Sequence, residues 1–370
     1  MKILIINPIL FTSENNVIPE IKSIKETMIY SMCLGFMAQG HQVTLAAAAD
    51  YKPVSGSEAY DFEVLFFKSE FTRIFPPSVL PLSFEFHRFL KAAHPDYEMI
   101  LSSETFSFAT LSAAMICPSK TVIWQELMLH QQKFRKIPSK IWHRLVVPLF
   151  ISRVRCVIPR SHRAGTFIRR YLKQVAGEYV DHGVNASRFV FSGEKERQVI
   201  SSSRLVPGKN VESMIRVYSK LIKINGYEDV KMVIVGDGES KKSLETLVEH
   251  LALRDHVVFT GFLSQNGVNE VVKKSAVFMV NTLKDLNMVS IPESIASGTP
   301  VITNLLPASA DYIGREKLGI AKDAWDAYDL KEIIDNNPVY VENCIRYRDK
   351  LTNRFSARKI TEIFEDWGGC

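Results

Sequence analysis

Two acidic residues, Asp285 and Glu293, lie eight positions apart in the stretch DLNMVSIPESIASGTPVITN, residues 285–304. The stretch connects two apolar runs, VFMV (277–280) and PVIT (300–303), which are typical of buried strands. Between them we predict a short helix over residues 292–297 that ends at a glycine. Two carboxylates therefore meet a helix N-terminus at the end of a buried strand, where parallel sheets commonly bind ligands.

A helix N-terminus can bind a phosphate, because its unpaired backbone N–H groups and its partial positive charge both attract anions. Here the N–H groups of Met288, Val289 and Ser290 lead into the helix, and Pro292 suits its first turn. Glu293 could accept hydrogen bonds from a diol such as a ribose. The alternative role for Glu293 is that of a capping carboxylate on an ordinary strand–helix connection.

Two cations lie close together in SRLVPGKN, residues 203–210. Arg204 and Lys209 follow a predicted strand and flank a Pro-Gly turn. Arginine offers a bidentate fork and lysine a point charge, a combination that suits a diphosphate, whereas the alternative is two solvated loop cations. A third motif, VIVGDGES (233–240), has a Gly-x-Gly turn that begins at Gly236. It lacks the third glycine and the acid of a dinucleotide-binding fingerprint.

The elements that must position these residues alternate between strands and helices. In the first half, strands are predicted at residues 2–7, 41–48, 98–103, 121–125 and 154–161. The pattern restarts after about residue 196, with strands at 198–203, 230–236, 257–262, 276–281 and 302–304. This alternation predicts parallel sheets with crossover helices. We therefore expect an α/β protein with two Rossmann-like, doubly wound domains facing a cleft, over residues 1–180 and 181–350. Residues 351–370 would form a last helix that could pack back on the N-terminal domain.

The composition is that of an ordinary globular protein and is compatible with two domains. The chain has 370 residues, of which 46% are hydrophobic and 23% charged. No apolar run approaches the roughly 20 residues that a membrane-spanning helix needs. The five cysteines show neither disulfide nor zinc spacing, which indicates a reducing cytoplasm.

Basic residues are concentrated between residues 120 and 173. Thirteen Lys and Arg residues accompany a single acid, Glu126, and apolar side chains such as Trp142, Leu145 and Leu149 are interleaved with them. Two interpretations stay open: a solvated basic face, or a surface for anionic lipid head groups or a phosphorylated lipid substrate. No recognition motif accompanies the charge, so we expect no nucleic-acid partner.

Taken together, the motifs resemble the retaining family 4 glycosyltransferases of the GT-B fold. Five stretches follow the family's order over nearly all of residues 181–310: DHGVNASRF (181–189), SSRLVPGKN (202–210), MVIVGDGESKKSLETLV (232–248), HVVFTGFLS (256–264) and DLNMVSIPESIASGTPVITN (285–304). The first half is similar more loosely, through QGHQVTLAAA (39–48) and RSHRAGTFI (160–168). RFSARKITEIF (354–364) resembles the family's closing helix.

The resemblance implies roles for the charged residues. Arg204 and Lys209 match the pair that binds the donor's diphosphate and stabilises the leaving nucleoside diphosphate. Asp285 falls where the family has the first glutamate of its E-x7-E motif, which contacts the donor sugar. Glu293 matches the second glutamate, which binds the ribose hydroxyls.

The resemblance also implies how the rest of the donor is bound. The backbone of Met288, Val289 and Ser290 matches the loop that faces the diphosphate, Phe262 falls near the nucleobase, and Gly236 lies in the matching strand–helix turn. Family members generally need no divalent metal, so we expect no metal and no cofactor beyond the substrate, a UDP- or GDP-sugar.

Three departures from the family pattern stand out. Asp285 is one methylene shorter than glutamate, and Asn287 and Met288 replace the usual Phe-Gly, so the loop loses glycine's conformational freedom. The family's N-terminal Gly-Gly loop is missing, and FTSENNVIPEIKSIKE (11–26) takes its place. A changed acceptor or donor sugar would explain these differences, and so would decay of activity.

In the N-terminal half, the family commonly places a histidine or an acid just beyond the strand that matches TVIWQ. Glu126 and His130 are the candidates there, and Glu104, after EMILSS, is a third. Each has a plainer role. Glu126 could pair with a nearby cation, His130 could simply be packed or exposed, and Glu104 could cap the following helix.

The resemblance implies a glycosyltransferase that moves a sugar from a nucleoside-diphosphate sugar to a hydroxyl of a saccharide acceptor, with retention of configuration. The N-terminal domain would bind the acceptor and the C-terminal domain the donor. The basic tract suggests a lipid-linked acceptor and a cytoplasmic protein associated with the membrane's cytoplasmic face. Two alternatives stay open: a nucleotide-sugar-binding scaffold that has lost transfer, and a sugar-nucleotide epimerase of the same architecture.

Overall fold

The computed structural model describes residues 1–11, 18, 20–54, 58–131, 136–185 and 189–367. The expected segments 11–26, 120–173 and 181–189 therefore lie partly outside the described residues. The chain divides into two compact units. Unit 1 contains Met1–Gly183 together with Asn353–Cys370, and unit 2 is the continuous stretch Val184–Thr352.

Strands and helices alternate through the described residues, as the sequence predicts. The strands are β1 (Lys2–Ile6), β2 (Gln42–Ala48), β3 (Glu63–Phe67), β4 (Met99–Ser103), β5 (Thr121–Gln125), β6 (Cys156–Pro159), β7 (Glu196–Ser202), β8 (Lys231–Val235), β9 (Val257–Gly261), β10 (Ser275–Val280), β11 (Val301–Thr303) and β12 (Gly319–Ala321). The helices are α1 (Met28–Met37), α2 (Phe84–Ala93), α3 (Phe108–Ile116), α4 (Ile137–Ile141), α5 (Val147–Phe150), α6 (His162–Ile168), α7 (Val211–Leu221), α8 (Lys241–His250), α9 (Gln265–Val272), α10 (Ser290–Ala296), α11 (Ala310–Arg315), α12 (Ala327–Asp335), α13 (Asn337–Arg348) and α14 (Asn353–Asp366).

Each unit is built on a six-stranded parallel sheet, and the two sheets share one strand order. Unit 1 has the order β3-β2-β1-β4-β5-β6, and unit 2 has β9-β8-β7-β10-β11-β12. In both, the chain starts at a central strand, moves to one edge and then returns to build the other side. The switch in direction lies between β1 and β4 in unit 1 and between β7 and β10 in unit 2. The carboxyl ends of strands at such a point are the usual ligand site of a doubly wound sheet.

The central strands form because their residues are apolar and covered on both faces. Every residue of β10 (SAVFMV) is buried, and only the first residue of β1 (KILII) is not. Such continuous apolar runs are typical of parallel strands with helices on both sides. The sequence analysis missed the strands β3 and β12. Both are edge strands: β3 has only one fully buried residue and β12 has only three residues, so their apolar signals are weaker.

The last helix, α14, completes the core of unit 1. Its residues Ala357, Ile360 and Phe364 are buried in the cluster that also contains residues of α1, β1 and β2. The contact with α1 is close: a Cβ on Gly35 would lie 2.4 Å from the carbonyl oxygen of Asn353. Glycine at position 35 therefore allows the two helices to approach.

No helix among the described residues combines the length and the apolar character that crossing a bilayer requires. The described cysteines, Cys33, Cys117, Cys156 and Cys344, are buried free thiols.

Candidate active site

The switch point of unit 2 carries an ion pair between two of the predicted site residues. Arg204 and Lys209 lie in the loop after β7, and Asp285 lies in the loop after the neighbouring strand β10. The Lys209 Nζ donates to Asp285 Oδ2. The side chain of Lys209 is 16% exposed and that of Asp285 32%, so both remain accessible to a ligand. The structure thus brings together a cation and an acid that are 76 positions apart in the chain.

Hydrogen bonds around Thr282 hold these two loops against each other. The Leu283 backbone N–H donates to the Gly208 carbonyl at 2.8 Å, and the Thr282 Oγ1 donates to the same carbonyl at 3.2 Å. The hydroxyl also accepts from the Asp285 N–H at 3.0 Å. The Asn304 side chain donates to the Thr282 carbonyl at 2.7 Å. Sequence analysis missed Thr282, although a hydroxyl residue two positions after a buried strand was a signal for it.

The Gly-x-Gly turn supports the loop that carries Arg204. The Leu205 N–H donates to the Asp237 carbonyl at 2.8 Å, and the Ser203 N–H donates to the Val235 carbonyl at 3.1 Å. Gly236 has φ +128°, and a Cβ there would lie 1.9 Å from the Ser203 carbonyl oxygen. The structure therefore shows a packing role for Gly236 beneath Arg204. The Arg204 side chain itself is exposed.

Helix α10 begins at Ser290, two residues earlier than predicted, with Val289 as its N-cap residue. Pro292 therefore occupies the third helical position and not the first. The N-cap residue makes no side-chain cap bond, so no capping residue marked the start of the helix in the sequence. Val289 is 40% exposed, whereas the Met288 side chain is buried in the core of unit 2.

The backbone before α10 does not need a glycine. Neither Asn287 nor Met288 is among the described residues with positive φ, so the loop keeps an ordinary conformation without the family's Phe-Gly. The backbone conformation at these two positions is therefore one that residues with side chains readily adopt.

Glu293 lies in the first turn of α10 and is half-buried. Its carboxylate makes no hydrogen bond or ion pair with the described residues. Burial raises the pKa of Glu293 to about 8. At neutral pH the side chain is therefore mostly a neutral acid, which can both donate and accept a hydrogen bond. A ribose diol offers both kinds of partner.

Phe262 follows β9 directly, and its side chain is 85% exposed. β9 lies two strands from β7, roughly 10 Å across the sheet at the usual strand spacing. Phe262, like Arg204 and Lys209, thus lies at the carboxyl end of its strand. An exposed ring at this distance could cover the base of a nucleotide whose phosphates lie at the switch point.

In unit 1, Glu104 holds the loop after β5 and does not cap α3. Its carboxylate accepts from the backbone N–H groups of Glu126 at 2.6 Å and Leu127 at 3.1 Å, and from the Gln125 side chain at 2.9 Å. The N-cap residue of α3 is Ser107, so the expected capping role for Glu104 is wrong.

Glu104 also has an unusual backbone conformation and an unusual charge state. Its φ is +67°, uncommon for a residue with a side chain and frequent at functional sites. Burial and the neighbouring Glu126 carboxylate raise the pKa of Glu104 to about 8. Both properties make it a candidate for binding an acceptor hydroxyl at the end of β4.

Glu126 forms an ion pair with Arg160, which is the plainer of the two roles expected for it. The side chain of Glu126 is 42% exposed, whereas Arg160 is buried and also donates to His182 Nδ1 at 2.8 Å. Burial alone would raise the pKa of Asp181, but His182 and Arg160 hold it below its usual value. The acid closest to solvent in this cluster is Glu126.

His130 is a packed histidine. Its Nδ1 lies 3.2 Å from the Ser139 hydroxyl and its Nε2 lies 3.1 Å from the Tyr171 hydroxyl, with the Phe167 ring edge-on against it. Burial and nearby cations, led by Lys140, lower its pKa. The structure therefore favours a structural role for His130.

A buried polar chain that the sequence analysis missed connects this histidine region to Glu104. The His143 Nε2 lies 3.3 Å from the Thr105 hydroxyl, and that hydroxyl donates to the Gln125 side-chain oxygen at 2.8 Å. Gln125 in turn donates to Glu104. Polar residues at the ends of two buried strands were the available signal. The described residues contain no group of three or more His, Cys, Asp or Glu side chains placed to hold a metal ion.

The sequence of unit 2 matches a known family. Residues 185–337 fit the model of the family described as glycosyl transferases group 1. An uncharacterized glycosyltransferase of Methanocaldococcus jannaschii is 27% identical over 137 residues, which are 37% of this chain and 34% of that protein. Alpha-monoglucosyldiacylglycerol synthase of Streptococcus pneumoniae is 26% identical over 205 residues, which are 55% of this chain and 45% of that protein. The chain therefore spans less than half the length of either relative.

The similarity in fold extends over both units. The crystal structure of HepE from Anabaena in complex with UDP has a TM-score of 0.69 with this chain, at 16% sequence identity. The alignment covers 99% of this chain and 100% of HepE. Residues 185–337 thus match the glycosyl transferases group 1 family, and the two parallel sheets and the similarity to HepE give the chain the GT-B fold.

Proposed function

We propose that the protein transfers a sugar from a UDP- or GDP-sugar to a hydroxyl group of a saccharide acceptor. The observation that carries the proposal is the Lys209–Asp285 pair at the switch point of a unit whose sequence matches group 1 glycosyltransferases. Arg204 lies in the same loop as Lys209, and two cations at the carboxyl ends of parallel strands suit a diphosphate group.

In this proposal, the residues of unit 2 act mainly on the leaving diphosphate. Negative charge builds on its oxygens as the bond to the sugar breaks, and Arg204 and Lys209 stabilise that charge. Removal of one such stabilising group typically costs about 10²–10³ in turnover. Asp285 holds the Lys209 ammonium at the switch point and would contact the donor sugar. Glu293, as a neutral acid, would hydrogen-bond the ribose.

We further propose that the transfer retains anomeric configuration and proceeds without a divalent metal. The resemblance to family 4 supports both statements, and the cations Arg204 and Lys209 can perform the charge stabilisation that a metal would otherwise supply. On the acceptor side, Glu104 and Glu126 are the candidate groups in unit 1. The acceptor we propose is a lipid-linked saccharide, reached at a membrane surface. One relative's name, that of a glucosyldiacylglycerol synthase, is in keeping with such an acceptor.

Thermal unfolding with a panel of UDP-, GDP-, ADP- and CMP-sugars tests the donor site. A ligand at about 100 times its dissociation constant stabilises the folded protein by about 2.7 kcal/mol, a readily measured shift. We expect one nucleotide to stabilise the wild type, and Arg204→Ala and Glu293→Ala to abolish the shift. Arg254→Ala, which removes an exposed arginine elsewhere in unit 2, is the control and should keep it.

The thermal assay, together with assays of the products, separates the alternatives. If no nucleotide stabilises the wild type, the donor site has lost its function and the proposed transfer is wrong. If a nucleotide sugar stabilises the wild type but is neither transferred nor isomerised, the protein is a nucleotide-sugar-binding scaffold. If the responding nucleotide sugar is converted to an isomer in the absence of any acceptor, the protein is an epimerase. Release of nucleoside diphosphate that depends on an added saccharide supports the transferase.

A further inference from the structure

A line of exposed apolar side chains runs along residues 137–150 of unit 1. Here α4 continues into α5 through a π-helical turn, Trp142–Val146. The exposed side chains recur at every fourth position and are 53–61% exposed: Ile137, Ile141, Leu145 and Leu149. Phe150 adjoins the last of them at 41%. The opposite face, which includes Trp142, Val147 and Ile151, is buried in the core of the unit.

The π-helical turn keeps this line straight. In an α-helix, four residues exceed one turn of 3.6 residues, so side chains at this spacing drift around the axis by about 40° per step. A π-helical turn takes in an extra residue, which reduces the drift between Ile141 and Leu145. The exposed apolar residues therefore share one face of the helix over a length of about 21 Å.

Cations accompany the apolar line at the same spacing. Lys136, Lys140 and Arg144 each directly precede one of its members, and all three are exposed. Their side chains make no ion pair with the described residues. The sequence contains no Asp or Glu between Glu126 and Glu178, so no acid on this helix offsets the charge.

The cations of the broad basic tract, residues 120–173, do not all lie on one surface. Several of its cations serve the fold: Lys120 donates to three carbonyls at residues 94–97, Arg155 lies over the Phe364 ring, and Arg169 donates to the Ala176 carbonyl. Trp142, which the sequence suggested as part of an interleaved surface, is buried. Lys133 and Arg135 lie outside the described residues. The cations beside the apolar line, Lys136, Lys140 and Arg144, form a separate set.

We propose that the helix over residues 137–150 docks the protein on an anionic lipid bilayer. The helix would lie flat in the interface, with Ile141, Leu145 and Leu149 inserted among the acyl chains and the adjacent cations on the lipid head groups. Fourteen residues are too few to span a bilayer. They suit a helix that lies on its surface, where insertion of apolar side chains and attraction of cations to anionic head groups both strengthen binding. A second copy of the chain would fit less well, because the cations of two such faces would repel each other.

This inference extends the proposed function, because a lipid-linked acceptor would be reached at that bilayer. It can nevertheless fail separately. Nucleotide binding resides in unit 2, so variants on this helix should keep the thermal shift produced by the responding nucleotide sugar.

Co-sedimentation of the full chain with vesicles tests the proposal. We expect the wild type to pellet with phosphatidylglycerol–phosphatidylcholine vesicles, to stay in solution with pure phosphatidylcholine, and to be released by high salt. Lys140→Glu/Arg144→Glu should lower the partition coefficient about 25-fold or more, since each cation contributes about fivefold. Leu145→Ser/Leu149→Ser should lower it about 100-fold or more, since each inserted leucine contributes at least about tenfold.

Matched variants in unit 2 control for changes in net charge and surface polarity. Lys223→Glu/Lys242→Glu reverses two exposed lysines, and Val258→Ser/Val339→Ser removes two exposed valines. Both should bind vesicles as the wild type does. The proposal is overturned if the helix variants and these controls lose binding equally, or if the wild type ignores anionic vesicles. It is also overturned if sedimentation without lipid shows a dimer that only the helix variants lose.

Discussion

At the scale of single residues, Asp285 and Glu293 show two opposite states of a carboxyl group. Asp285 is an ion-pair partner of Lys209, so part of the positive charge at the switch point is neutralised within the protein. Glu293 has no such partner in the described part of the chain, and burial favours its neutral form. The two acids that the sequence placed in one motif thus differ in charge at neutral pH.

Replacement of Asp285 by Asn should separate binding of the nucleotide from transfer. Without the acid, Lys209 keeps its full charge, and a charge at about 4 Å in water is worth about 1 kcal/mol. We expect Asp285→Asn to bind the responding nucleoside diphosphate about fivefold more tightly in calorimetric titration, while sugar transfer falls. Asp255→Asn, at an exposed acid of the same unit, should change neither quantity. Asp285 can help binding by positioning Lys209 and can hinder it by neutralising the Lys209 charge. If Asp285→Asn binds the nucleoside diphosphate more weakly than the wild type, the positioning effect is the larger of the two.

Glu293 should make the free energy of unfolding depend on pH. Its folded pKa of about 8 lies above its usual value of 4.5, so between these pH values the folded state holds a proton that the unfolded state has released. The free energy of unfolding therefore falls as pH rises through this window and levels off above pH 8. We expect Glu293→Gln to reduce the fall between pH 6 and pH 8 by on the order of 1 kcal/mol in urea unfolding, a value reduced for partial exposure.

Glu104 contributes to the same fall, because its pKa is raised to a similar value. A residual slope should therefore persist in Glu293→Gln. If the variant and the wild type lose stability in parallel over the whole window, the Glu293 carboxyl group is already ionised at neutral pH.

At the scale of elements, the loops that carry Arg204, Lys209 and Asp285 are held by backbone contacts more than by side chains. The turn at Gly236 packs directly against the Ser203 carbonyl, and Gly208 accepts from the loop after β10. Such backbone contacts position the charged side chains. A substitution in the turn at Gly236 should therefore also move the loop that carries Arg204.

We expect Gly236→Ala to destabilise unit 2 by about 3 kcal/mol and to weaken nucleotide binding. A Cβ would meet the Ser203 carbonyl oxygen at 1.9 Å and force the Arg204 loop to move. Gly226→Ala is the control, since Gly226 also has a positive φ, of +86°, but nothing lies within 4 Å of its Cβ position. That variant should cost about 1 kcal/mol and leave nucleotide binding unchanged. Equal losses in urea unfolding would mean that backbone strain, and not the contact with Ser203, sets the cost.

Strands and helices could be predicted where the residues of one short segment are enough to indicate the element. β1, β8 and β10 are nearly continuous apolar runs, and the order of the predicted strands with the intervening helices predicted parallel sheets. The start of α10 was placed two residues late, since Val289 has no capping side chain.

Contacts between distant segments could not be predicted in the same way. Glu104 binds N–H groups at residues 126 and 127, and Lys209 pairs with an acid 76 positions away, contacts that depend on strand order. In unit 2, the family resemblance indicated which motifs form one site. In unit 1, where the resemblance is looser, the network of Thr105, Gln125 and His143 was missed.

At the scale of the whole molecule, unit 2 is an uninterrupted stretch, whereas unit 1 is built from two separate ones. The ends of unit 2 lie side by side: the Val184 N–H donates to the Leu351 carbonyl at 2.7 Å, and Val184 bridges Thr352. Its sheet and its core clusters are formed entirely by its own residues. Unit 1 needs the buried residues of α14 to close its core.

We therefore expect a chain of residues 184–352 to fold cooperatively by itself and to bind the responding nucleotide. A chain of residues 1–183 should not reach a stable fold, because it lacks Ala357, Ile360 and Phe364, and replacement of one buried Ile by Ala already costs about 2–5 kcal/mol. Circular dichroism with thermal unfolding checks both. Residues 1–183 joined to 353–367 by a short Gly-Ser linker should regain cooperative unfolding. A cooperative transition in residues 1–183 alone would contradict the role of α14.

The position of α14 also determines the order in which the protein can mature on the ribosome. Domains generally fold as units during synthesis, with the N-terminal one first. Here the sheet of unit 1 emerges early but waits for residues 353–366, the last described helix, to cover its apolar face. Unit 2 is complete before that helix has been translated. The proposed donor-binding half can thus become functional while the first-made half is still open, and chaperones would meet an exposed unit 1 core on every nascent chain.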